Sequence, residues 1–260
     1  METLKKINLN TAESNNKKLK VPKVLFLLGL PLLGLVIVFL IVSILAMVLI
    51  MPLVADSKKV SSLAQETMQA AKNQDLILAE QKIKETHQVI VNLKNGYKRL
   101  IWVKFVPFIS NYYYDGENGL LALESGVTAG QVLIETLTPY ADVLGLKGKG
   151  TFTGGTAQDR IIKIIQTIGE VTPKMGEVQN NIILAQQSLK KINTKRYPES
   201  FGGKEVRNNI IKAQDLVDQA AQGIAEAIPA LEVLPKFLGY PEAQKYLFIM
   251  QNDGDRRAHV

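Results

Sequence analysis

The most prominent feature of the hydrophobic pattern is an uncharged stretch near the N-terminus. Residues 24–55 are 32 consecutive positions without one charged side chain. A helix needs about 20 apolar residues to cross the hydrocarbon core of a bilayer, and a charge at its centre would cost roughly 2.5–3.5 kcal/mol on insertion scales. The pattern therefore predicts a transmembrane anchor over residues 24–55. Pro31 and Pro52 place its regular span at about residues 32–51.

The basic residues before this run predict its orientation. Residues 1–23 carry six lysines against two glutamates, which is +4 of the chain's net charge of +7. By the positive-inside rule this tail lies in the cytoplasm, and residues 56–260 lie outside the membrane. No later segment is expected to cross back, because the longest candidate, 100–109, is short and contains Lys104.

Two other interpretations of the run are less favoured. A buried core helix is seldom this long. A cleaved signal peptide has an apolar region of only about 7–15 residues, although Leu53-Val54-Ala55 has some likeness to a small-residue cleavage site. An uncleaved anchor is therefore the prediction, and cleavage near Ala55 is the alternative.

Residues 56–104 are predicted to form one long helix that leaves the membrane, with Asp56 and Ser57 as its caps. Its apolar side chains recur at heptad-like spacing, at Leu76, Ile83, Ile90, Tyr97 and Ile101. The helix ends in an aromatic patch around Pro107 that comprises Trp102, Phe105, Phe108, Tyr112, Tyr113 and Tyr114. Aromatic clusters at turns usually pack, so the patch is predicted to be a core corner. A membrane-surface or partner-binding belt is the alternative.

A second helix is predicted over residues 117–137, with a stripe of Leu120, Leu123, Val127, Ile134 and Leu137. Pro139 and Gly145 end it, and a glycine-rich loop follows at residues 147–155. The loop does not match a phosphate-binding loop, because Thr151 stands where such a loop has lysine.

Two further segments carry matched apolar seams with alternating steps of three and four residues. The first seam runs Ile161, Ile164, Ile168, Val171, Met175, Val178, Ile182, Ala185, Leu189 and Ile192, with a kink or break expected at Thr172 before Pro173. The second runs Val206, Ile210, Ala213, Val217, Ala220, Ile224, Ala227, Leu231 and Leu234. A turn at residues 197–203 joins them, which predicts an antiparallel helical hairpin. Self-association or a protein partner on the same seams is the alternative.

The amino-acid composition limits the reactions and partners that the chain could have. The chain has no cysteine and only two histidines, so thiol chemistry is excluded and imidazole chemistry is thinly supplied. The charge outside the basic tail is too dilute for a nucleic-acid-binding face. No cofactor and no metal are implied. The lipid bilayer is the one partner that the pattern predicts directly.

Near the C-terminus the pattern changes after Pro235, Gly239 and Pro241. Residues 246–250 (YLFIM) are apolar without helical spacing, which predicts a strand. The segment that contains it, KYLFIMQNDGDRRAHV, resembles the opening signature of the bacterial domain-of-unknown-function 4012 family. The matching polar positions are Gln251, Asn252, Asp253, Asp255 and Arg257. Arg256, His259 and Val260 depart from that signature, and its glycine run is missing.

The resemblance extends to the layout of tail, span, helices and the stretches PFISNYYYDG and TPYADVLGLKG. It implies a membrane-anchored bacterial protein with no established activity and no assigned role for the five matching positions. It also implies that residues 241–260 begin a truncated C-terminal domain. The four predicted parts are thus the tail 1–23, the anchor 24–55, a helical ectodomain 56–240 and this final segment.

Candidate acid–base groups are few. Asp253 and Asp255 are close in sequence and could act as a pair, or begin a calcium loop, but a solvated turn is the favoured interpretation because the other calcium ligands are missing. His87 is interpreted as a surface or seam residue. A solvated face with helical charge pairs is predicted for Glu80, Lys84, Glu85 and Lys94.

The fold class predicted is mostly α: one N-terminal transmembrane helix, then an extracytoplasmic helical bundle or antiparallel coiled-coil hairpins, with a strand beginning near the C-terminus. The function predicted is a non-enzymatic envelope protein whose ectodomain is a structural stalk or interaction module. One alternative is a sensor that works through a cytoplasmic partner of the tail. The other is an envelope enzyme whose active site lies beyond Val260.

Overall fold

The computed structural model describes residues 23–147, 156–247 and 249, and over most of that range the chain is helical. Two compact units are present, Met1–Val48 and Leu49–Val260. The described residues form five α-helices, which are α1 (Lys23–Lys72), α2 (Leu76–Lys98), α3 (Ser110–Leu137), α4 (Ala157–Lys190) and α5 (Arg207–Phe237). Helix α1 begins in the first unit and ends in the second, and the other four belong to the second unit.

Helix α1 is longer than predicted. It starts at Lys23 and passes both Pro31 and Pro52 without a break, so the predicted limits of the regular span are wrong. A proline removes one backbone hydrogen bond, and around Pro52 the helix is held by Leu49 and Leu53, which pack into a core cluster on either side of it. The predicted caps at Asp56 and Ser57 are also wrong. The Ser57 hydroxyl instead donates to the Leu53 carbonyl oxygen at 2.7 Å, within the helix.

The single helix predicted over residues 56–104 is in fact a hairpin of α1 and α2. The chain reverses at Asn73-Gln74-Asp75, where Gln74 has φ +57° and the Asp75 carboxylate accepts the amide of Leu78 at 3.0 Å. This N-cap supplies a partner for a free donor of the first turn of α2. Apolar contacts then follow along the two helices, from Ala70 against Ala79 and Ile83, through Val60 and Leu63 against Val89 and Ile90, to Leu53 against Leu93 and Leu100.

Helix α3 lies between α2 and α4. It begins at Ser110, seven residues before the predicted start, so it takes in Tyr112, Tyr113 and Tyr114. Its most buried side chains include small ones, Ala122, Ser125 and Ala129, and the predicted stripe is fully buried only at Ile134. Small side chains let neighbouring helices approach closely, and this allows α3 to contact helices on two sides.

Helix α3 corrects one part of the predicted topology, namely that residues 100–109 are the longest later candidate for a membrane span. Among the described residues, the helical stretch Ser110–Tyr140 is long and apolar enough to cross a membrane by length and composition. Its carboxylates pair with cations of neighbouring segments: Glu117 with Lys104 at 3.1 Å and Glu124 with Lys94 at 2.5 Å. These pairs, together with its contacts to α2 and α4, favour a bundle helix.

The predicted hairpin of matched seams is confirmed as α4 and α5. Val171, Met175 and Val178 of α4 are buried in one cluster with Ile224, Ile228 and Leu231 of α5 packed against it. The Gln214 side-chain amide donates to the Leu189 and Ile192 carbonyl oxygens, which fixes the antiparallel register. The seam departs from prediction at its start, where Ile161 is exposed and Ile165 is buried instead. The break expected at Thr172 is absent, because α4 continues through Pro173.

The predicted turn at residues 197–203 is confirmed. It contains β1 (Ser200–Phe201), and β2 (Lys204–Glu205) follows directly after it; these are the two strands of the described residues. They pair antiparallel around Gly202 and Gly203, both at positive φ, as a two-residue hairpin loop requires. The strand predicted at residues 246–250 is not formed at Tyr246, Leu247 or Ile249, and the residues that the structure describes offer it no partner strand. Phe248 and Met250 lie outside the described residues.

Two glycines of α3 provide a matched pair for testing this packing. A Cβ at Gly116 would collide with the Tyr97 ring, which is fixed by stacking on Tyr113, whereas a Cβ at Gly126 meets nothing within 4 Å. Gly116→Ala is expected to lower the free energy of unfolding by about 1–3 kcal/mol. Gly126→Ala is expected to raise it by about 0.5–1 kcal/mol through helix propensity. Urea unfolding of the detergent-solubilised chain, followed by circular dichroism, measures both; equal effects would contradict the predicted clash.

Candidate functional site

The positions selected by the family resemblance cannot be located in the fold. Gln251, Asn252, Asp253, Asp255 and Arg257 lie outside the described residues, so the acid pair and the calcium alternative lie there as well. Residues 148–155 of the glycine-rich loop are likewise outside. A candidate site therefore has to be found among the residues that the structure describes.

Charged side chains of α2 form ion pairs with the neighbouring helices. Glu80 and Lys84 form the predicted pair within the helix at 2.6 Å. Lys94 instead reaches Glu124 of α3, and Lys82 reaches Glu66 of α1 at 2.8 Å. Lys84 also lies 3.6 Å from a Glu135 carboxylate oxygen of α3. The prediction of helical charge pairs thus holds for Glu80 with Lys84 and misses the three cross-helix pairs.

Metal chemistry has no support in the described part of the chain. His87 is half-buried on α2 and is not part of an acidic cluster. Within the ranges 23–147 and 156–247, no group of three or more histidine or acidic side chains could hold a metal ion.

A polar cleft lies between the end of α3 and the middle of α4. It has a volume of about 470 Å³, and its lining includes Glu135, Lys174 and Glu177. The Tyr140 hydroxyl donates to a Glu170 carboxylate oxygen across the cleft at 2.5 Å. The cleft offers hydrogen-bonding groups of both charges, among them the paired Tyr140 hydroxyl and Glu170 carboxylate.

A buried ion pair joins α3 to the connection between α4 and α5. Asp115 is only 4% exposed, and its carboxylate accepts from the Arg196 guanidinium and from the Tyr197 hydroxyl, the latter at 3.1 Å. Arg196 also donates to the Asn111 carbonyl oxygen at 3.3 Å. Burial raises the pKa of Tyr197, and the hydrogen bond to Asp115 raises it further, so the phenol keeps its proton. This cluster is internally satisfied, which indicates a structural role.

The aromatic turn, residues 101–109, is the largest departure from the predicted packing. A core corner was expected around Pro107, but Phe105 and Phe108 are 84% and 93% exposed, and Trp102 is exposed as well. Two aliphatic side chains of the turn, Ile101 and Ile109, are also exposed. Tyr112 and Tyr114, at the start of α3, are exposed too, and Tyr113 is the buried member of the predicted patch.

The turn lies beside the last apolar residues of α1. Leu100 is buried against Leu53, Leu93 and Tyr113, with Val103 and Leu49 packed on the same cluster. On the other side of α1, Ile50, Met51 and Val54 are exposed. Because the exposed residues of the turn and the exposed residues of α1 both adjoin this cluster, they lie at one end of the second unit. Exposed apolar side chains in such numbers usually mark a site of interaction.

The backbone at Phe108 is strained in a way that favours exposure of its ring. Phe108 has φ +70°, a left-handed conformation that is uncommon for a bulky side chain. Such strain persists only where the surroundings impose it, and it is concentrated at functional sites. Phe108 directly follows Pro107 and lies two positions before Ser110, the first residue of α3.

Comparison with protein-family models, with curated proteins and with solved structures gave no match for this chain.

Proposed function

We propose that the protein is anchored in a membrane by a single span over residues 24–55, with its N-terminus in the cytoplasm and its helical bundle on the opposite side. The observation that carries the proposal is the run of 32 uncharged residues behind six lysines. The bundle acts as a structural stalk or interaction module of a bacterial cell envelope. The membrane anchor is also what the family resemblance implies.

The described part of α1 supports the anchor. Its apolar side chains in the first unit include Ile37, Leu40, Ile44, Met47 and Val48, and these are between 48% and 64% exposed. Apolar side chains that protein does not cover are unfavourable in water, but they suit the hydrocarbon core of a bilayer. The uninterrupted passage of α1 through Pro31 and Pro52 is compatible with one continuous span.

The interaction role rests on the second unit. The seams of α4 and α5 face each other within one chain, so they are used for folding. Surfaces left for a partner are the exposed ones, and the aromatic turn is an apolar one among them. The interaction role is proposed for these surfaces.

Single-cysteine labelling tests the topology directly, because the natural chain has no cysteine. Ser14→Cys places a thiol in the basic tail, and Ala225→Cys places one on the exposed side of α5. In intact cells that produce the full chain, a membrane-impermeant maleimide should label Ala225→Cys and leave Ser14→Cys unlabelled until the cells are lysed.

Alkaline extraction provides the second measurement. The full chain should stay with the membrane pellet, as expected for a spanning helix. Release into the supernatant, or labelling of both cysteines in intact cells, would reject the anchor. Labelling of Ser14→Cys alone would show a span in the opposite orientation.

A further inference from the structure

We infer that the aromatic turn is a second membrane contact, in which Trp102, Phe105 and Phe108 enter the headgroup region of the same bilayer that holds the anchor. This inference rests on the proposed anchor and adds a lipid-binding surface to the ectodomain. The surface consists of the exposed residues of the turn, and it adjoins the exposed Ile50, Met51 and Val54 at the end of the proposed span.

The position of the turn is the first reason. Leu100 and Val103 pack with Leu49 and Leu53, the residues of α1 at the end of the uncharged run. The second unit therefore presents its most exposed aromatic side chains beside the point where the chain leaves the proposed span. An anchor that ends there holds the turn near lipid at a high local concentration, so even weak partitioning becomes favourable.

The composition of the turn is the second reason. Tryptophan and tyrosine are enriched at membrane–water interfaces, where their rings meet both headgroups and hydrocarbon. Lys98 and Arg99, just before the turn, are exposed and suit anionic headgroups. The nearby carboxylate of Glu117 is already paired with Lys104 at 3.1 Å, which limits its repulsion of those headgroups.

Backbone strain is the third reason. Glycine or asparagine would adopt φ +70° at less cost than the bulky Phe108 that stands there. The phenylalanine contributes nothing to the core, because its ring is 93% exposed. Lipid contact gives that ring a role which the fold does not.

The single tryptophan of the chain makes the test direct. The full chain is reconstituted into vesicles of phosphatidylcholine and phosphatidylglycerol, with bromine atoms on the acyl chains either near the headgroup or deep in the membrane. Trp102 emission should be blue-shifted, protected from aqueous acrylamide and quenched most strongly by the shallow bromines. The control is Trp102→Phe combined with Phe237→Trp.

Phe237 is a suitable control position because it is exposed and lies at the end of α5. Ile228 and Leu231, in the preceding turns of α5, share a cluster with Leu137 and Tyr140, at the opposite end of α3 from Tyr113. A tryptophan at position 237 should therefore respond to acrylamide and not to brominated lipid. Equal lipid quenching at positions 102 and 237 would overturn the assignment to the turn.

A second variant separates a lipid-binding role from a folding role. Phe105→Asn with Phe108→Asn removes two exposed rings and relieves the strain at position 108, so the bundle should unfold at the same or a higher urea concentration. Quenching of Trp102 by bromine should nevertheless fall markedly. The matched control, Phe201→Asn, removes another exposed ring and should leave the quenching unchanged.

Other outcomes would overturn the inference without affecting the anchor. If Trp102 is open to acrylamide and insensitive to bromine while the cysteine labelling gives the expected topology, the turn faces water and the anchor stands. If Trp102 is protected from both quenchers, a protein surface covers the turn, from a second copy or a partner, and the lipid assignment is wrong.

Discussion

Replacing Ile90 by alanine is expected to lower the free energy of unfolding by about 2–5 kcal/mol. Ile90 is completely buried and packs with Val60, Leu63 and Val89, where α1 and α2 meet, and Leu123 and Val127 of α3 also lie against that cluster. Truncation leaves a cavity among three helices, which cannot all move inwards without losing other contacts. Urea unfolding of the detergent-solubilised full chain, followed by circular dichroism, provides the measurement.

The control for this change is Ile77→Ala on the same helix. Ile77 is 40% exposed in the first turn of α2, so its truncation removes less buried surface and leaves no enclosed cavity. Its effect should be well under half of that at Ile90. Equal losses at the two positions would mean that α2 does not bury Ile90 between α1 and α3.

Asp115→Ala is expected to lower the free energy of unfolding by about 3 kcal/mol. The substitution leaves the Arg196 guanidinium and the Tyr197 hydroxyl without their shared acceptor, in a site where Asp115 itself is almost inaccessible. Losing one member of a buried pair costs more than the pair contributes, because the remaining charge is left without a partner. The connection between α4 and α5 should then detach from the start of α3.

Two control variants test whether the loss of stability comes from the buried ion pair. Glu205→Ala breaks an exposed pair with Lys212 and should change stability little. Asp115→Ala combined with Arg196→Met removes both charges and should recover part of the loss. If the double variant is no more stable than Asp115→Ala alone, the destabilisation does not come from an unpaired Arg196.

The sequence was most informative where one periodicity extended over many residues. The seams of α4 and α5 predicted their hairpin because each side chain at steps of three and four adds to the same stripe. A proline such as Pro173 did not interrupt α4, since the buried neighbours Val171 and Met175 hold the helix on both sides. Long-range regularity was thus a better guide than a single helix-breaking residue.

Local signals were less informative at turns. The reversal between α1 and α2 occurs at Asn73-Gln74-Asp75, which contains neither glycine nor proline, and Gln74 adopts a positive φ. Polar residues are equally common on an exposed helix face, so this stretch did not stand out from the charged pattern around it. The tertiary contacts between α1 and α2, such as those of Ala70 with Ala79 and Ile83, reveal the hairpin.

Burial of the aromatic patch could not be predicted, because it depends on what lies over the turn. The rings of Phe105 and Phe108 would be core if another element covered that end of the second unit. The sequence does not state which element that would be, and the structure places Leu100 and Val103 inwards instead. The five positions that match the family signature, from Gln251 to Arg257, lie outside the described residues, so their resemblance to that signature stays a prediction.

The packing of α5 predicts which helix of the second unit would separate first under a mechanical pull. Along the whole of this helix Pro235 is the one buried residue, and its main neighbour is α4. Amide protons of a helix covered on one side exchange with solvent sooner than those of a central helix such as α3. Residues 238–260 are attached to α5, so a pull on that segment would detach α5 first and leave α1, α2 and α3 folded.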